Sequence, residues 1–170
     1  MIGHSLVLGK TLSGKTSLVK RMTIAASTED DTPVFVLTPH VQDAGWKHCD
    51  HVTKDDAEFL KLAFNSTDAQ LVIDEAGRYC KKSDEGMWRI ASESRHHGHQ
   101  AFFIAQRQQM IDKTIREQCT NLFLFQQGPD DAQILYGQFV DRLILEAPSL
   151  PPGVCIVKIG DSPAFKMKVF

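Results

Sequence analysis

Ser5-Leu6-Val7-Leu8-Gly9-Lys10-Thr11-Leu12-Ser13-Gly14-Lys15-Thr16-Ser17 is the stretch on which the reading of this chain turns. An apolar run that ends in glycine suits a buried parallel strand. Residues 9–16 fit the pattern GxxxxGK[ST], and the spacing has a physical cause. The glycines let the backbone curl until successive N–H groups point at one anion, and a helix opening near Lys15 adds its positive end. Lys15 then reaches the terminal phosphates of a nucleotide, and the Thr16 hydroxyl is placed to ligate Mg²⁺. Gly9, Lys10, Thr11, Leu12, Ser13, Gly14, Lys15, Thr16 and Ser17 are therefore the expected binding residues, with ATP and Mg²⁺ as the expected ligands. A strand before and a helix after distinguish this loop from an ordinary glycine turn.

Outward from the loop, helical and strand patterns alternate. Residues 17–26 carry apolar positions at helical spacing. Residues 34–37 form a β-branched run, and 40–53 read as irregular. Residues 55–64 are helical, with acids in the first turn. Residues 70–74 are a strand ending in acid. Residues 84–97 are a helix stopped by Gly98. Residues 101–105 and 122–125 are further strands, with a short helix over 112–119 between them. Residues 129–147 read as one long amphipathic helix with Pro129 in its first turn. Residues 154–159 and 164–169 alternate about a Gly/Pro turn, as a hairpin does. The expected fold class is α/β, a mostly parallel sheet flanked by helices. The length fits a single domain over 1–170, with an α/β core over 1–147 and a C-terminal β-hairpin extension over 148–170.

Leu71-Val72-Ile73-Asp74-Glu75 is an apolar strand closed by two carboxylates. Beside a phosphate loop, the first acid lies near the metal, so Thr16 and Asp74 are the expected metal residues. Glu75 is then placed to orient and deprotonate an attacking water. A glutamate there favours hydrolysis over transfer to a small-molecule acceptor. Ala101-Phe102-Phe103-Ile104-Ala105-Gln106 ends in an amide. In the additional-strand class of P-loop ATPases this strand lies between the loop strand and the acidic strand. Gln106 would then meet the γ-phosphate, which an amide can sense without adding charge.

Composition removes other classes. Apolar residues are 42% and charged residues 24% of the chain, ordinary for a globular protein. The formal net charge of −2 excludes a uniformly basic nucleic-acid coat, so any such contact needs a local patch or a ring of subunits. Cys49, Cys80, Cys119 and Cys155 are scattered, and reduced thiols are expected. His48-Cys49-Asp50-His51 is metal-capable but has no second ligand pair. No segment has the roughly 18 apolar residues of a membrane helix, and Met1–Leu8 has no charged leader. A soluble intracellular chain without membrane insertion is expected.

Glu93-Ser94-Arg95-His96-His97-Gly98, then Phe103-Ile104-Ala105-Gln106-Arg107, then Ile111-Asp112-Lys113-Thr114-Ile115-Arg116, and later Leu150-Pro151-Pro152-Gly153 before the hairpin, resemble the FtsK-HerA superfamily of RecA-like P-loop ATPases in order and over nearly the whole chain. Gln108 departs from the proline usual after T-Q-R. In having the motor core alone, the chain is similar to genome-packaging ATPases of tailless double-stranded DNA phages with an internal membrane. The resemblance implies a ring, usually a hexamer, around double-stranded DNA, with ATP between subunits and a capsid or packaging-vertex partner in the host cytoplasm. It also implies an arginine reaching a neighbour's phosphate. Arg95 is the first choice, Arg107 the second, and Arg78 and Arg89 follow. Arg78, Tyr79, Lys81 and Lys82, expected in a loop, are candidates for DNA contact. His96, His97 and His99 read as surface residues without chemistry. Two other functions compete: an assembly or export ATPase acting on protein, similar to that of filamentous phages, and a nucleotide-switched binding module.

Overall fold

The computed structural model describes residues 3–82 and 84–170. Strands β1 (His4–Leu8), β2 (Val34–Leu37), β3 (His51–Thr53), β4 (Gln70–Ile73), β5 (Gln100–Ala105), β6 (Cys119–Leu124), β7 (Val154–Ile159) and β8 (Phe165–Lys168) form one sheet in the order β3-β2-β4-β5-β1-β6-β7-β8. The first six are parallel; β7 and β8 pair antiparallel and extend the sheet beyond β6. The acidic strand β4 is thus separated from the loop strand β1 by β5, the arrangement expected of the additional-strand class.

Helices α1 (Lys15–Glu29), α2 (Asp56–Phe64), α3 (Ala76–Tyr79), α4 (Glu85–Glu93), α5 (Lys113–Glu117) and α6 (Pro129–Phe139) cover both faces. Because side chains alternate along a strand, Leu6, Leu8, Leu71, Ile73, Phe103 and Leu122 turn to one face and meet Phe59 of α2, Ile90 of α4 and Leu135 of α6. Val7, Val72, Phe102, Ile104 and Phe123 turn to the other and meet Leu18 and Val19 of α1. Each such side chain contributes about 1.5–3 kcal/mol when fully buried, so α1 and the loop before it are fixed by the sheet. Acids start the flanking helices. Asp55 accepts from Glu58 N–H at 3.0 Å and Asp84 from Met87 N–H at 3.0 Å, each satisfying an orphan donor.

Four segments differ from the sequence expectation. Residues 40–53, expected irregular, contain the 3-10 turn Ala44–Trp46 and the edge strand β3. The helix expected over 84–97 is α-helical only to Glu93 and tightens to a 3-10 turn over Ser94–His97, where Ser94 Oγ donates to Ile90 O at 2.6 Å. The long helix expected over 129–147 breaks at Val140, whose φ of 50° is left-handed, and resumes as the 3-10 stretch Arg142–Ser149. Asp141 fixes the break by accepting from Leu143 N–H at 3.0 Å and from Ala164 N–H at 2.8 Å, which ties it to the hairpin. Arg78 and Tyr79, expected in a loop, fall in α3, and Tyr79 packs into the core.

Candidate nucleotide-binding site

The chain leaves β1 at Leu8 and enters α1 at Lys15. Gly14 is the N-cap, with φ 108°, and no side chain caps the helix. Leu12, with φ 62°, lies at the exposed tip of the loop. A helix start without a side-chain cap or an acid in its first turn leaves N–H donors for an anion. Ser13 Oγ is buried there without a partner among the described residues, a second donor left for a ligand. Lys15 Nζ curls back onto Lys10 O at 2.8 Å. Burial lowers the Lys15 pKa, and only the Asp74 carboxylate opposes that. The loop therefore holds a desolvated cation and free donors about one small volume, which suits a phosphate chain.

β4 delivers the acids. Asp74 is buried, and its two oxygens accept from Thr16 Oγ1 at 3.4 Å and Thr38 Oγ1 at 3.3 Å. Its Oδ1 also accepts from Glu75 N–H at 3.1 Å. Burial pushes the Asp74 carboxyl above its ordinary range, while the Thr38 and Glu75 hydrogen bonds pull it back. A hydroxyl and a carboxylate oxygen brought face to face are the hard oxygen ligands Mg²⁺ takes. The donor set fits the ion. Glu75 lies on a left-handed backbone, φ 52°, uncommon for a residue with a side chain. Its carboxylate is exposed, 3.1 Å from His40 Nε2.

Gln106 emerges at the end of β5 with its side chain exposed. Its backbone carbonyl accepts from Gln127 Nε2 at 2.5 Å. A cavity of about 670 Å³ is lined by Lys15, Thr16, Asp74, Glu75 and Gln106 together, with His40 and Arg78 at its wall. Three adjacent strands thus bring the predicted loop, metal, base and amide residues into one site. His40 was not singled out in the sequence. It follows β2 as Asp74 follows β4, and only the pairing of those strands makes it a neighbour of Glu75.

The arginines divide. Arg95 is not in this cavity. It donates to Gln118 Oε1 at 3.0 Å, at the end of the sheet where β1 and β6 begin. The five residues of β1 put it about 16 Å from the loop of its own chain. Arg107 Nε donates to the buried Asp131 carboxylate at 2.8 Å. Arg89 pairs with Glu93 at 3.0 Å and lies over the Phe64 ring at 4.3 Å.

Two other readings change. The buried Tyr79 is not available to stack on a nucleic acid, whereas Lys81 and Lys82 are exposed. His99 is a core residue, not a surface one: its Nδ1 accepts from Ala69 N–H at 3.0 Å and its Nε2 faces Ala63 O at 2.7 Å. His48 turns to Thr23 and stands 3.4 Å from Cys49 Sγ, Asp50 accepts from Val34 N–H and His51 pairs with Glu58, and among the described residues no group of three such side chains gathers about one point. All four cysteines are free thiols. Among the described residues no helix is long and apolar enough to cross a membrane.

Phosphate loop, acid-ended strand and the amide-ended strand between them define a P-loop NTPase fold of the RecA-like, additional-strand type. Solved structures share it. The chain is similar to the genome packaging NTPase B204 from Sulfolobus turreted icosahedral virus 2 in complex with AMPPCP, at 16% identity and a TM-score of 0.79, over 99% of this chain and 98% of that one. It is similar to the pCW3 conjugation coupling protein TcpA with ATPγS, at 15% identity and a TM-score of 0.73, over 99% of this chain and 60% of that one. It is also similar to the cytoplasmic domain of the Thermomonospora curvata Type VII secretion ATPase EccC, at 17% identity and a TM-score of 0.71, over 98% of this chain and 25% of that one. At these identities the likeness is one of fold. No protein-family model matches the chain, and no curated protein does.

Proposed function

We propose that this protein is an ATP-hydrolysing motor that moves double-stranded DNA, acting in viral genome packaging. The observation that carries the hydrolytic part is the convergence of Lys15, Thr16, Asp74, Glu75 and Gln106 on one cavity. The loop N–H groups and Lys15 bind the phosphate chain and neutralise charge that grows on it in the transition state. Mg²⁺, held by Thr16 and Asp74, would add Lewis-acid neutralisation of the phosphate oxygens when bound. Glu75 accepts the proton of the attacking water as the new O–P bond forms and the bond to the ADP oxygen breaks. Its contact with His40 is exposed and costs little to release. Gln106 donates an amide hydrogen to the γ-phosphate. Through its backbone carbonyl it is tied to Gln127, one residue before the N-cap of α6, a path by which phosphate loss reaches the far side of the sheet.

A ring with ATP between subunits is supported by two features. Leu12, at the lip of the site, is 94% exposed, as a residue awaiting a neighbour is. Arg95 is too far from its own loop to touch a phosphate there, which leaves a neighbour's. For DNA, Lys81 and Lys82 line a groove of about 470 Å³ with Lys113 and Arg116, and this groove shares Lys81 and Met110 with the nucleotide cavity. Four cations beside Asp112 suit a phosphodiester backbone. The same fold in B204, described as the DNA-packaging ATPase of Sulfolobus turreted icosahedral virus, supports the packaging role, in the cytoplasm of an infected cell at a capsid vertex.

One observation favours a second reading. EccC of the same fold is a secretion ATPase, and its ATPases 2 and 3 have been solved with a signal sequence peptide. An assembly or export motor acting on protein would use the same hydrolytic site. Phosphate release with and without double-stranded DNA, for wild type and Glu75→Gln, separates the two. The packaging reading expects strong DNA stimulation, and a drop of about 10²-fold or more in the variant. Turnover indifferent to DNA under ring-forming conditions would move the assignment to a protein substrate.

A further inference from the structure

The site fixes one end of the nucleotide and leaves the other to be placed. Asp74, Glu75 and Gln106 stand on the β4–β5 side of β1, so the γ-phosphate faces that side. β6, β7 and β8 lie on the opposite side of β1. A nucleotide stretched over the loop therefore lays its ribose and base toward β6–β8. Phe170, just past β8, is there. The residue is 56% exposed, yet its ring is held in place. A methyl group added at Gly14 would stand 2.7 Å from its Cε1, and one added at Gly153 would stand 2.7 Å from its Cε2. The backbone before it is anchored as well. Val169 N–H donates to Gly153 O at 2.7 Å, and Val169 O accepts from the guanidinium of Arg21 on α1.

Resting on the nucleotide-binding reading above, we propose that the Phe170 ring is the platform on which the nucleobase stacks. An exposed aromatic ring fixed between two glycines beside the phosphate loop offers a π-face at little ordering cost. The occupant is the purine of the nucleotide whose phosphates the loop holds. Stacking is tolerant of base identity because every base has a π-face. Adenine and guanine nucleotides are therefore bound with similar affinity.

The test is equilibrium binding of ADP, GDP and inorganic tripolyphosphate to the full chain and to Phe170→Ala, Phe170→Leu and Phe170→Trp. Leucine keeps apolar contact with Gly14 but has no π-face. The expected result is that Ala and Leu both weaken ADP and GDP about tenfold and leave tripolyphosphate unchanged. The Trp variant retains nucleotide affinity and gains fluorescence, beyond that of Trp46 and Trp88, that ADP quenches and tripolyphosphate does not. The platform is overturned if the Leu variant binds ADP as wild type does. It is also overturned if Ala and Leu weaken tripolyphosphate as much as ADP, because the ring would then only shape the loop. A wild-type chain that binds neither ADP nor tripolyphosphate overturns the nucleotide-binding reading itself, and the platform with it.

Discussion

Burial pushes the Asp74 carboxyl above the ordinary aspartate range, more than the Thr38 and Glu75 hydrogen bonds pull it down. A carboxyl whose folded pKa is raised stabilises the fold fully only below its unfolded pKa. That contribution is lost as pH rises through the folded pKa, so at neutral pH the ionised Asp74 costs stability. The nucleotide-free chain carries this cost, which the proposed metal site would require because a bound cation needs the charge. Asp74→Asn should therefore raise the melting temperature of the nucleotide-free chain, by about 2–4 °C for each kcal/mol recovered in a domain of this size, while abolishing Mg²⁺-dependent phosphate release. Calorimetry beside a phosphate assay checks both halves. A lower melting temperature would mean that the bonds from Thr38 and Glu75 need the carboxylate itself. Asp74, Glu75, Lys15, Thr16 and Gln106 were legible in the sequence because each stands at a fixed offset from a glycine or at the end of an apolar run. His40 was not, because no spacing relates residue 40 to residue 75; the pairing of β2 with β4 does.

Strands were easier to read than the places where elements change character. The parallel strands flanking β1 announced themselves as apolar runs, and the loop between β1 and α1 by its glycines. β3 was missed because three residues at a sheet edge, two of them half-buried and one buried, carry no period. The break in 129–147 was missed because helical periodicity continues across Val140 while the backbone there turns left-handed, which a β-branched residue rarely does. Tyr79 was misplaced because charged neighbours hide a helical turn of four residues. His4, at the start of β1, belongs to the same scale. It is fully buried, and its Nδ1 accepts from Ala101 N–H of β5 at 3.0 Å. Burial chiefly, then Arg95 and His99, drops its pKa to about 4. A histidine kept neutral in the fold and free to charge when unfolded stabilises fully above its unfolded pKa. That stability is lost as pH falls from about 6.5 through about 4, a change on the order of 3 kcal/mol. Denaturant unfolding at pH 7.5, 6 and 5 should show this loss, and His4→Gln should flatten it. An unchanged slope would place the acid sensitivity elsewhere, His99 being the next buried imidazole.

For the whole molecule the open site is the central fact. The phosphate loop has Leu12 exposed at its tip, the lysines and arginines along the cavity wall among the described residues are Lys15, Lys20, Arg78 and Lys81, and Arg95 is held by Gln118 at the other end of the sheet. In a closed ring of heterologous contacts, one end of a subunit meets the opposite surface of the next. Arg95 of one subunit is then available to the loop of its neighbour, where it would stabilise the charge of phosphoryl transfer. This assignment can be tested by mixing. Arg95→Ala and Glu75→Gln should each be nearly inactive alone. Co-assembled in equal amounts, an Arg95→Ala subunit with an intact Glu75 can receive an arginine from a Glu75→Gln neighbour. Random closed rings should recover about a quarter of wild-type phosphate release per subunit. An arginine acting within its own subunit predicts no recovery at any ratio. Recovery by Arg107→Ala but not by Arg95→Ala would move the role to Arg107, which would then have to leave Asp131, whose second carboxylate oxygen is already buried without a partner among the described residues.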